Sequence, residues 1–266
     1  LRSVAVYGKG GIGKSTLASN MARALGKAGL KVLIVGCDPK CDSTMNITGK
    51  RIPPLLELMR EDRNPPPDTF LFRANNVWCV EIGGPEPGVG CAGRGIIVGV
   101  NYLLKKLDLR DFDFVVFDVP ADIVCGGLAA VVKEGYAEGV ILVTSDDFMS
   151  VYAANNLCRG LSALRAKAFG LLYNMPAGGA EQVQEFSRRV GLPILGIVPY
   201  SEEIVRANKM RKTVVEAYPD SRISKVLESV SSSILGVEGG RIPRWLSIEE
   251  LEEIFHEDPS GDHLRD

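Results

Sequence analysis

The stretch Gly8-Lys9-Gly10-Gly11-Ile12-Gly13-Lys14-Ser15-Thr16 follows the short apolar run Val4-Ala5-Val6-Tyr7 at the start of the chain. It fits G-x-x-x-x-G-K-(S/T), a phosphate-binding loop between a strand and a helix. Its glycines let backbone N–H groups close around phosphate oxygens, and the helix start that follows adds a positive dipole end. Lys14 is placed to reach the β- and γ-phosphates, and Ser15 to put a hydroxyl on Mg²⁺. The context is right on both sides. Residues 4–7 read as a strand, and residues 15–27 carry Leu17, Met21, Ala24 and Leu25 at helical spacing. An ordinary glycine-rich turn is the competing reading, and the flanking strand and helix argue against it.

Lys9 is not required by that pattern. A second lysine inside the loop resembles the deviant Walker A group of P-loop NTPases. That group includes the Min and Par partition ATPases, arsenite pumps and the nitrogenase iron protein. In it the lysine reaches across a dimer interface to the partner's nucleotide, so the resemblance implies a homodimer with Lys9 acting in trans. A solvated loop lysine is the plain alternative, although a positive charge so close to phosphates is unusual in that role.

At 266 residues the chain suits a single α/β domain with ample core, expected over residues 1–258, with a frayed tail at 259–266. The formal charge of −2 and dispersed basic residues give no electrostatic reason to expect nucleic acid. No apolar run is long enough to span a bilayer. The chain opens directly on a strand, so no signal peptide is expected ahead of it. These features point to a soluble cytoplasmic protein. Of the six cysteines, Cys37, Cys41, Cys79, Cys91, Cys125 and Cys158, none is expected in a disulfide framework in that compartment.

Strand-like runs alternate with helical ones. Residues 32–35, 77–82, 114–117, 140–144, 171–173 and 194–198 read as strands, and residues 97–107, 149–164 and 180–190 as helices. Apolar strands alternating with helices predict a mostly parallel, doubly wound sheet. Right-handed crossovers then gather the loops after the strands along one edge, where ligands bind. Asn64-Pro65-Pro66-Pro67 reads as a stiff surface turn. His256 and His263, near the C-terminus, read as solvated rather than as ligands.

Asp118 ends the strand Val115-Val116-Phe117, the usual placement of the Mg²⁺ partner of a phosphate loop. A helix cap or turn aspartate is the bland alternative. Cys37-Asp38-Pro39-Lys40-Cys41-Asp42-Ser43 follows the second strand. There Asp38 is placed to orient an attacking water, and Lys40 and Asp42 to respond to the γ-phosphate. A loop ordered in this way by nucleotide is a switch.

Two further glycine-rich segments each hold one cysteine: residues 83–95 with Cys91, and residues 118–127 with Cys125. Each precedes a helical run, so each cysteine sits near a positive dipole end that favours thiolate. An iron–sulfur cluster normally needs four thiolates, which a two-fold dimer would supply as two symmetric pairs. The residues alone leave this open against buried, inert cysteines.

The motifs YGKGGIGKST (7–16), GCDPKCDST (36–44), GGPEPGVGCAGRG (83–95), the Asp118 to Asp122 segment and VCGG (124–127) occur in the same order as in the nitrogenase iron protein family, which this chain closely resembles. That family also includes subunits of protochlorophyllide and chlorophyllide reductases and the reductase of the cyclase that builds coenzyme F430. The resemblance runs through Val198-Pro199 to the acidic segment at 248–258. It implies one 4Fe–4S cluster per homodimer, held by Cys91 and Cys125 of both subunits. It implies MgATP surrounded by Gly8, Lys9, Gly10, Gly11, Ile12, Gly13, Lys14, Ser15, Thr16, Asp38, Lys40, Asp118 and Asn174, with Asn174 at the adenine. Catalytic roles fall to Lys9, Lys14 and Asp38, and switch or docking roles to Asp42, Asp122 and Arg94.

Departures from the nitrogenase pattern are Pro120-Ala121 between the two aspartates, Cys41 in place of alanine, and Tyr200-Ser201-Glu202 after Pro199. Proline fixes φ and restricts the residue before it, so the Asp118–Asp122 switch is expected to be stiffer. These differences point to a divergent, nitrogenase-like reductase, with the F430 branch as a candidate. It would take electrons from ferredoxin or flavodoxin and pass them to a larger catalytic component. The rival is a non-redox partition ATPase, which has no need of Cys91 or Cys125. A cluster-assembly scaffold typically carries a C-x-x-C pair, absent here.

Overall fold

The computed structural model describes residues 2–84, 92–120, 126–178 and 180–255. Eight strands form one sheet: β1 (Arg2–Gly8), β2 (Val32–Gly36), β3 (Phe72–Ala74), β4 (Val77–Glu81), β5 (Phe114–Asp118), β6 (Gly139–Thr144), β7 (Ala168–Asn174) and β8 (Ile194–Val198). Their spatial order is β3-β4-β2-β5-β1-β6-β7-β8. All neighbours are parallel except β3 and β4.

Strands β2, β5, β6 and β7 are buried at every residue, which explains their nearly continuous apolar runs. The period of two still sorts the side chains between two cores. Ala5, Tyr7, Leu33, Val115 and Phe117 face one layer, with Val100, Leu103 and Leu157 of the covering helices. Val4, Val6, Ile34 and Val116 face the other, with Leu17, Met21 and Leu25 of the helix Lys14–Lys27 and with Ile223 and Leu227 of the helix Arg222–Gly236. Each such fully buried leucine or isoleucine contributes roughly 1.5–3 kcal/mol. The expected doubly wound, mostly parallel sheet is the one observed.

Some elements differ from expectation. Strand β3 pairs antiparallel with β4 across Asn75 and Asn76, and Asn75 takes a left-handed φ of 56°. A three-residue edge strand closed by such a turn offers too little periodicity to be read in advance. The helix after Cys91 starts at Ala92 rather than Ile97, because burial of Ile96 and Val100 outweighs the helix cost of Gly93 and Gly95. The proline run does turn, but Pro67 opens a short helix, Pro67–Phe70, from its first position. The acidic segment forms a helix, Ile248–Phe255, that buries Leu251 and Ile254. His256, His263 and the tail at 259–266 lie outside the described residues.

The chain leaves β1 for β2 on one side of the sheet and later adds β6, β7 and β8 on the other. The loops after β1, β2, β4 and β5 therefore leave one sheet edge beside this reversal, the place where open α/β sheets bind ligands. Among the described residues, no helix is long and apolar enough to cross a membrane.

Candidate functional site

Strand β1 ends at Gly8, and the helix Lys14–Lys27 begins after a five-residue loop. Ile12 N–H donates to Lys9 O at 3.2 Å and closes the turn. Gly13 is the N-cap with φ 90°, and no side chain caps the helix, which leaves its first N–H groups for an anion. A Cβ on Gly13 would lie 2.6 Å from Asn174 Nδ2, and the φ itself disfavours any other residue. By contrast, a Cβ on Gly10 or Gly11 would meet nothing within 4 Å. That open side faces a cavity of about 280 Å³ lined by the loop, Lys14, Ser15, Thr16, Asp38, Lys40 and Pro120. Ile12 points away into the core.

The floor of the site is a buried polar network. Lys14 Nζ donates to Asp118 Oδ1 at 2.9 Å, and Ser43 Oγ donates to Asp118 Oδ2 at 2.7 Å. Asp118 O accepts from Cys37 N–H at 2.9 Å, which ties β5 to the loop after β2. That loop is internally bonded. Asp38 Oδ1 accepts from Lys40 N–H at 2.9 Å, and Cys41 takes a left-handed φ of 54°. The Lys40 ammonium lies 3.4 Å from Asp38 and 3.9 Å from Asp42, and the charge of Asp38, then that of Asp42, raises its pKa.

Lys9 Nζ lies 3.4 Å from Asp147 Oδ1, and both side chains are substantially exposed. Asp147 also caps the helix Phe148–Ala163 through Ser150 N–H. Burial alone would raise its pKa. Hydrogen bonds from Ser145 and Ser150, with the Lys9 charge, outweigh burial and bring it to about 2.

Beside the phosphate cavity lies a second one of about 200 Å³, which shares Gly11, Gly13 and Thr16 with it. Asn174, Met175, Pro199, Tyr200 and Val205 line it, and the lining is mostly apolar, as small-molecule sites commonly are. Asn174 Nδ2 donates to Ile12 O at 2.7 Å, so Asn174 braces the phosphate loop as well as facing this cavity. Tyr200, one of the departures noted above, is exposed on its rim.

Sequence reasoning passed over Glu81, the last residue of β4. It is fully buried, and its Oε1 accepts from both Thr44 N–H and Thr44 Oγ1–H at 2.7 Å. Burial pushes its pKa up to about 7, against the lowering effect of the Thr44 bonds. The available signal was a carboxylate ending an apolar strand, the same pattern that singled out Asp118. Asp147, the partner of Lys9, was also passed over.

Cys37, Cys41, Cys79 and Cys158 are free and buried. Burial pushes the Cys41, Cys79 and Cys158 thiols up to about 12, and Cys37 higher still. Thiols held protonated in this way are poor metal ligands. No group of three or more His, Cys, Asp or Glu side chains among the described residues is arranged to hold a metal ion. Cys91, Cys125 and Asp122 lie outside the described residues. Cys91 immediately precedes the helix Ala92–Lys106 and Cys125 the helix Gly126–Lys133, and these two helices pack against each other. Arg94 is exposed in the first turn of the former.

The fold is shared with MinD cell division ATPases. The Aquifex aeolicus protein superposes with a TM-score of 0.71 at 19% identity, over 91% of this chain and 99% of that one. The Pyrococcus horikoshii protein, solved with Mg-ADP, gives 0.72 at 20% identity, over 88% and 95%. Sequence relatives are much nearer. A "Nitrogenase iron protein 2" of Methanobacterium ivanovii is 42% identical over 96% of this chain and 98% of its own. A protein of the same name from Methanothermobacter thermautotrophicus is 42% identical over 96% and 97%. The model of the 4Fe-4S iron sulfur cluster binding proteins, NifH/frxC family, matches residues 2–260. With a match of that extent, and a phosphate loop closed over a Lys14–Asp118–Ser43 network, this chain belongs to the NifH/frxC family of 4Fe–4S iron–sulfur cluster binding proteins.

Proposed function

We propose that this chain is the ATP-driven electron-transfer component of a two-component, nitrogenase-like reductase, acting as a homodimer on a larger catalytic partner. Members of its family bind a 4Fe–4S cluster and MgATP and serve as ATP-hydrolysing reductase components. When bound, the cluster stores and releases one electron at a time, and MgATP hydrolysis drives the conformational cycle.

The chain's own residues divide that work. Loop N–H groups from Gly10 to Thr16 and the Lys14 ammonium would hold the phosphates, with Ser15 and Asp118 holding Mg²⁺. Asn174, Pro199 and Tyr200 would hold the base. Asp38 would orient the attacking water, while Lys40 and Asp42 respond to the γ-phosphate. Among the described residues the Lys9 ammonium is tied to an exposed Asp147, a contact worth about 0–1 kcal/mol, so it can leave to act across the dimer. The donor set also suits the cluster. The four described thiols are buried and protonated, whereas Cys91 and Cys125 each stand directly before one of two packed helices.

The observation that carries the reading is the position of Asp118. It is bonded to Lys14 of the phosphate loop and stands seven residues before Cys125. Asp122 lies between them, where it would carry the switch, and Arg94 would face the docking partner. We place the protein in the cytoplasm as one domain over residues 1–258, with ferredoxin or flavodoxin as donor. Free thiols at the four described cysteines favour a reducing compartment. Pro120, Cys41 and Tyr200 favour a divergent branch, such as the coenzyme F430 reductase, over nitrogenase itself. Likeness to MinD supports the fold alone.

Anaerobically purified protein tests this. The expected result is about four irons per dimer and MgATP-dependent transfer of electrons to the co-purified catalytic component. Iron-free protein with full ATPase activity would contradict it and favour a non-redox partition ATPase.

A further inference from the structure

Strand registers set up an arrangement that the phosphate chemistry does not require. Gly36, the last residue of β2, is the register partner of Glu81 on one side and of Asp118 on the other. The backbones of Glu81 and Asp118 therefore flank the end of β2, roughly 10 Å apart by strand spacing. The chain then enters the loop after β2, residues 37–44, and returns. At its far end two adjacent residues bond to the two strand ends: Ser43 Oγ to Asp118, and Thr44 N–H and Oγ1–H to Glu81.

All four side chains are buried, none more than 1% exposed. Glu81 Oε2 has no hydrogen-bond partner among the described residues. A Cβ on Gly36 would sit 2.0 Å from Glu81 Oε2 and 2.8 Å from Ser43 Cβ, so glycine at 36 is what lets both side chains fold over the strand end. A buried carboxylate with one oxygen on Thr44 and the other unpartnered is costly to keep. Packing alone would favour an apolar residue there.

The two strands lead to different places. Beyond the end of β5 at Asp118 the sequence leads to Cys125, and beyond the end of β4 at Glu81 it leads through Ile82-Gly83-Gly84 to Cys91, ten positions on. We propose that Ser43 and Thr44 form a paired latch that carries the state of the nucleotide loop separately into the two cysteine-bearing segments, Ser43 through Asp118 and Thr44 through Glu81. This rests on the reading of Cys91 and Cys125 as cluster ligands and of residues 37–44 as nucleotide-responsive. Thr44 and Glu81 are positioning residues in it, since neither lines the phosphate cavity. Two arms from one loop would move both ligand segments together, as a cluster held by all of them demands.

Hydrogen–deuterium exchange on the intact, cluster-loaded homodimer tests the latch by reading the helices Ala92–Lys106 and Gly126–Lys133 without nucleotide, with MgADP and with MgATP. Wild type should show an MgATP-specific change in both helices. Thr44→Val removes the hydroxyl donor at nearly constant volume. It should lose most of the change in Ala92–Lys106 and keep that in Gly126–Lys133. Ser43→Ala should do the reverse, and Thr44→Ser should restore the wild-type pattern. Thermal melting and MgATP affinity serve to confirm that each variant is folded and loaded. If the two variants blunt both helices equally, or neither, while wild type responds, the latch is wrong and the proposed function stands. If wild type binds MgATP and neither helix responds, the latch and the nucleotide-gating reading fall together.

Discussion

Lys14 and Asp118 form an ion pair of 2.9 Å with both side chains buried, across 104 positions of sequence. The strongest electrostatic contact of the phosphate loop is thus made to the strand that leads to Cys125. A phosphate that takes the Lys14 ammonium must compete with Asp118 for it. The remaining Asp118 oxygen is held by Ser43, so any such competition is felt in the loop after β2.

Replacing Asp118 separates its contact with Lys14 from the Mg²⁺ role proposed for it. Asp118→Ala leaves Lys14 buried without its partner and should cost the nucleotide-free protein about 3–5 kcal/mol in urea denaturation. Asp118→Asn keeps the shape and should fold, yet lose Mg²⁺-dependent hydrolysis by about 100-fold or more. Wild-type turnover in Asp118→Asn would remove this residue from the Mg²⁺ site.

Lys9→Ala should bind MgATP with affinity within about threefold of wild type, because the contact it loses among the described residues is an exposed one to Asp147. Hydrolysis should fall by on the order of 1000-fold, as when a charge supplied in trans is removed. A mixed dimer with a Lys14→Ala chain decides the geometry. Action in trans lets the Lys14→Ala chain lend its Lys9 to the nucleotide site of the Lys9→Ala chain, restoring one working site. Activity no better than the average of the two inactive parents means that Lys9 acts within its own chain.

Cys91→Ser and Cys125→Ser should each abolish the cluster, since the dimer axis doubles the loss to two ligands of four. Serine at Cys37, Cys41, Cys79 or Cys158 should leave the iron content unchanged, with at most a packing penalty. Iron and sulfide analysis of the six variants reads this directly. A normal cluster in either of the first two would end the bridging arrangement.

Much of this was legible in the sequence because it rests on short, stereotyped spacings. The phosphate loop, the strand ending in Asp118 and the glycine-flanked cysteines are local patterns, and the buried strands announce themselves as unbroken apolar runs. The bonds that join them were not legible. Ser43 reaches Asp118 over 75 positions and Thr44 reaches Glu81 over 37, set by sheet register, which no window of sequence contains. Asp147 as the resting partner of Lys9 was hidden for the same reason, at a separation of 138. Strand β3 was missed because three residues on a sheet edge carry no period.

Glu81 gives a pH signature. Its folded pKa of about 7 lies above the ordinary 4.5, so between those values the folded protein binds more protons than the unfolded chain. Stability contributed by this group is therefore full below pH 4.5, falls as pH rises toward 7 and is flat above. The difference corresponds to about 3 kcal/mol as an order of magnitude. Glu81→Gln should remove this slope and gain on wild type by about 2–3 kcal/mol between pH 5 and pH 8 in urea denaturation. Parallel stability curves for the two proteins would show that Glu81 is ionised throughout.

Iron removal by a chelator reads most directly whether nucleotide state at Lys14 and Asp118 controls the segments that hold Cys91 and Cys125. Cys125 lies only seven positions beyond Asp118, too few for a shift at one end to be lost before the other. Removal should be about 5-fold or more faster with MgATP than with MgADP or no nucleotide, the scale of an ordinary coupling free energy. Pro120 has a fixed φ, so the effect is expected toward the low end. Asp122→Asn should keep the cluster and lose the nucleotide dependence. Identical chelation rates in all three nucleotide states, from protein shown to bind MgATP, would contradict the account.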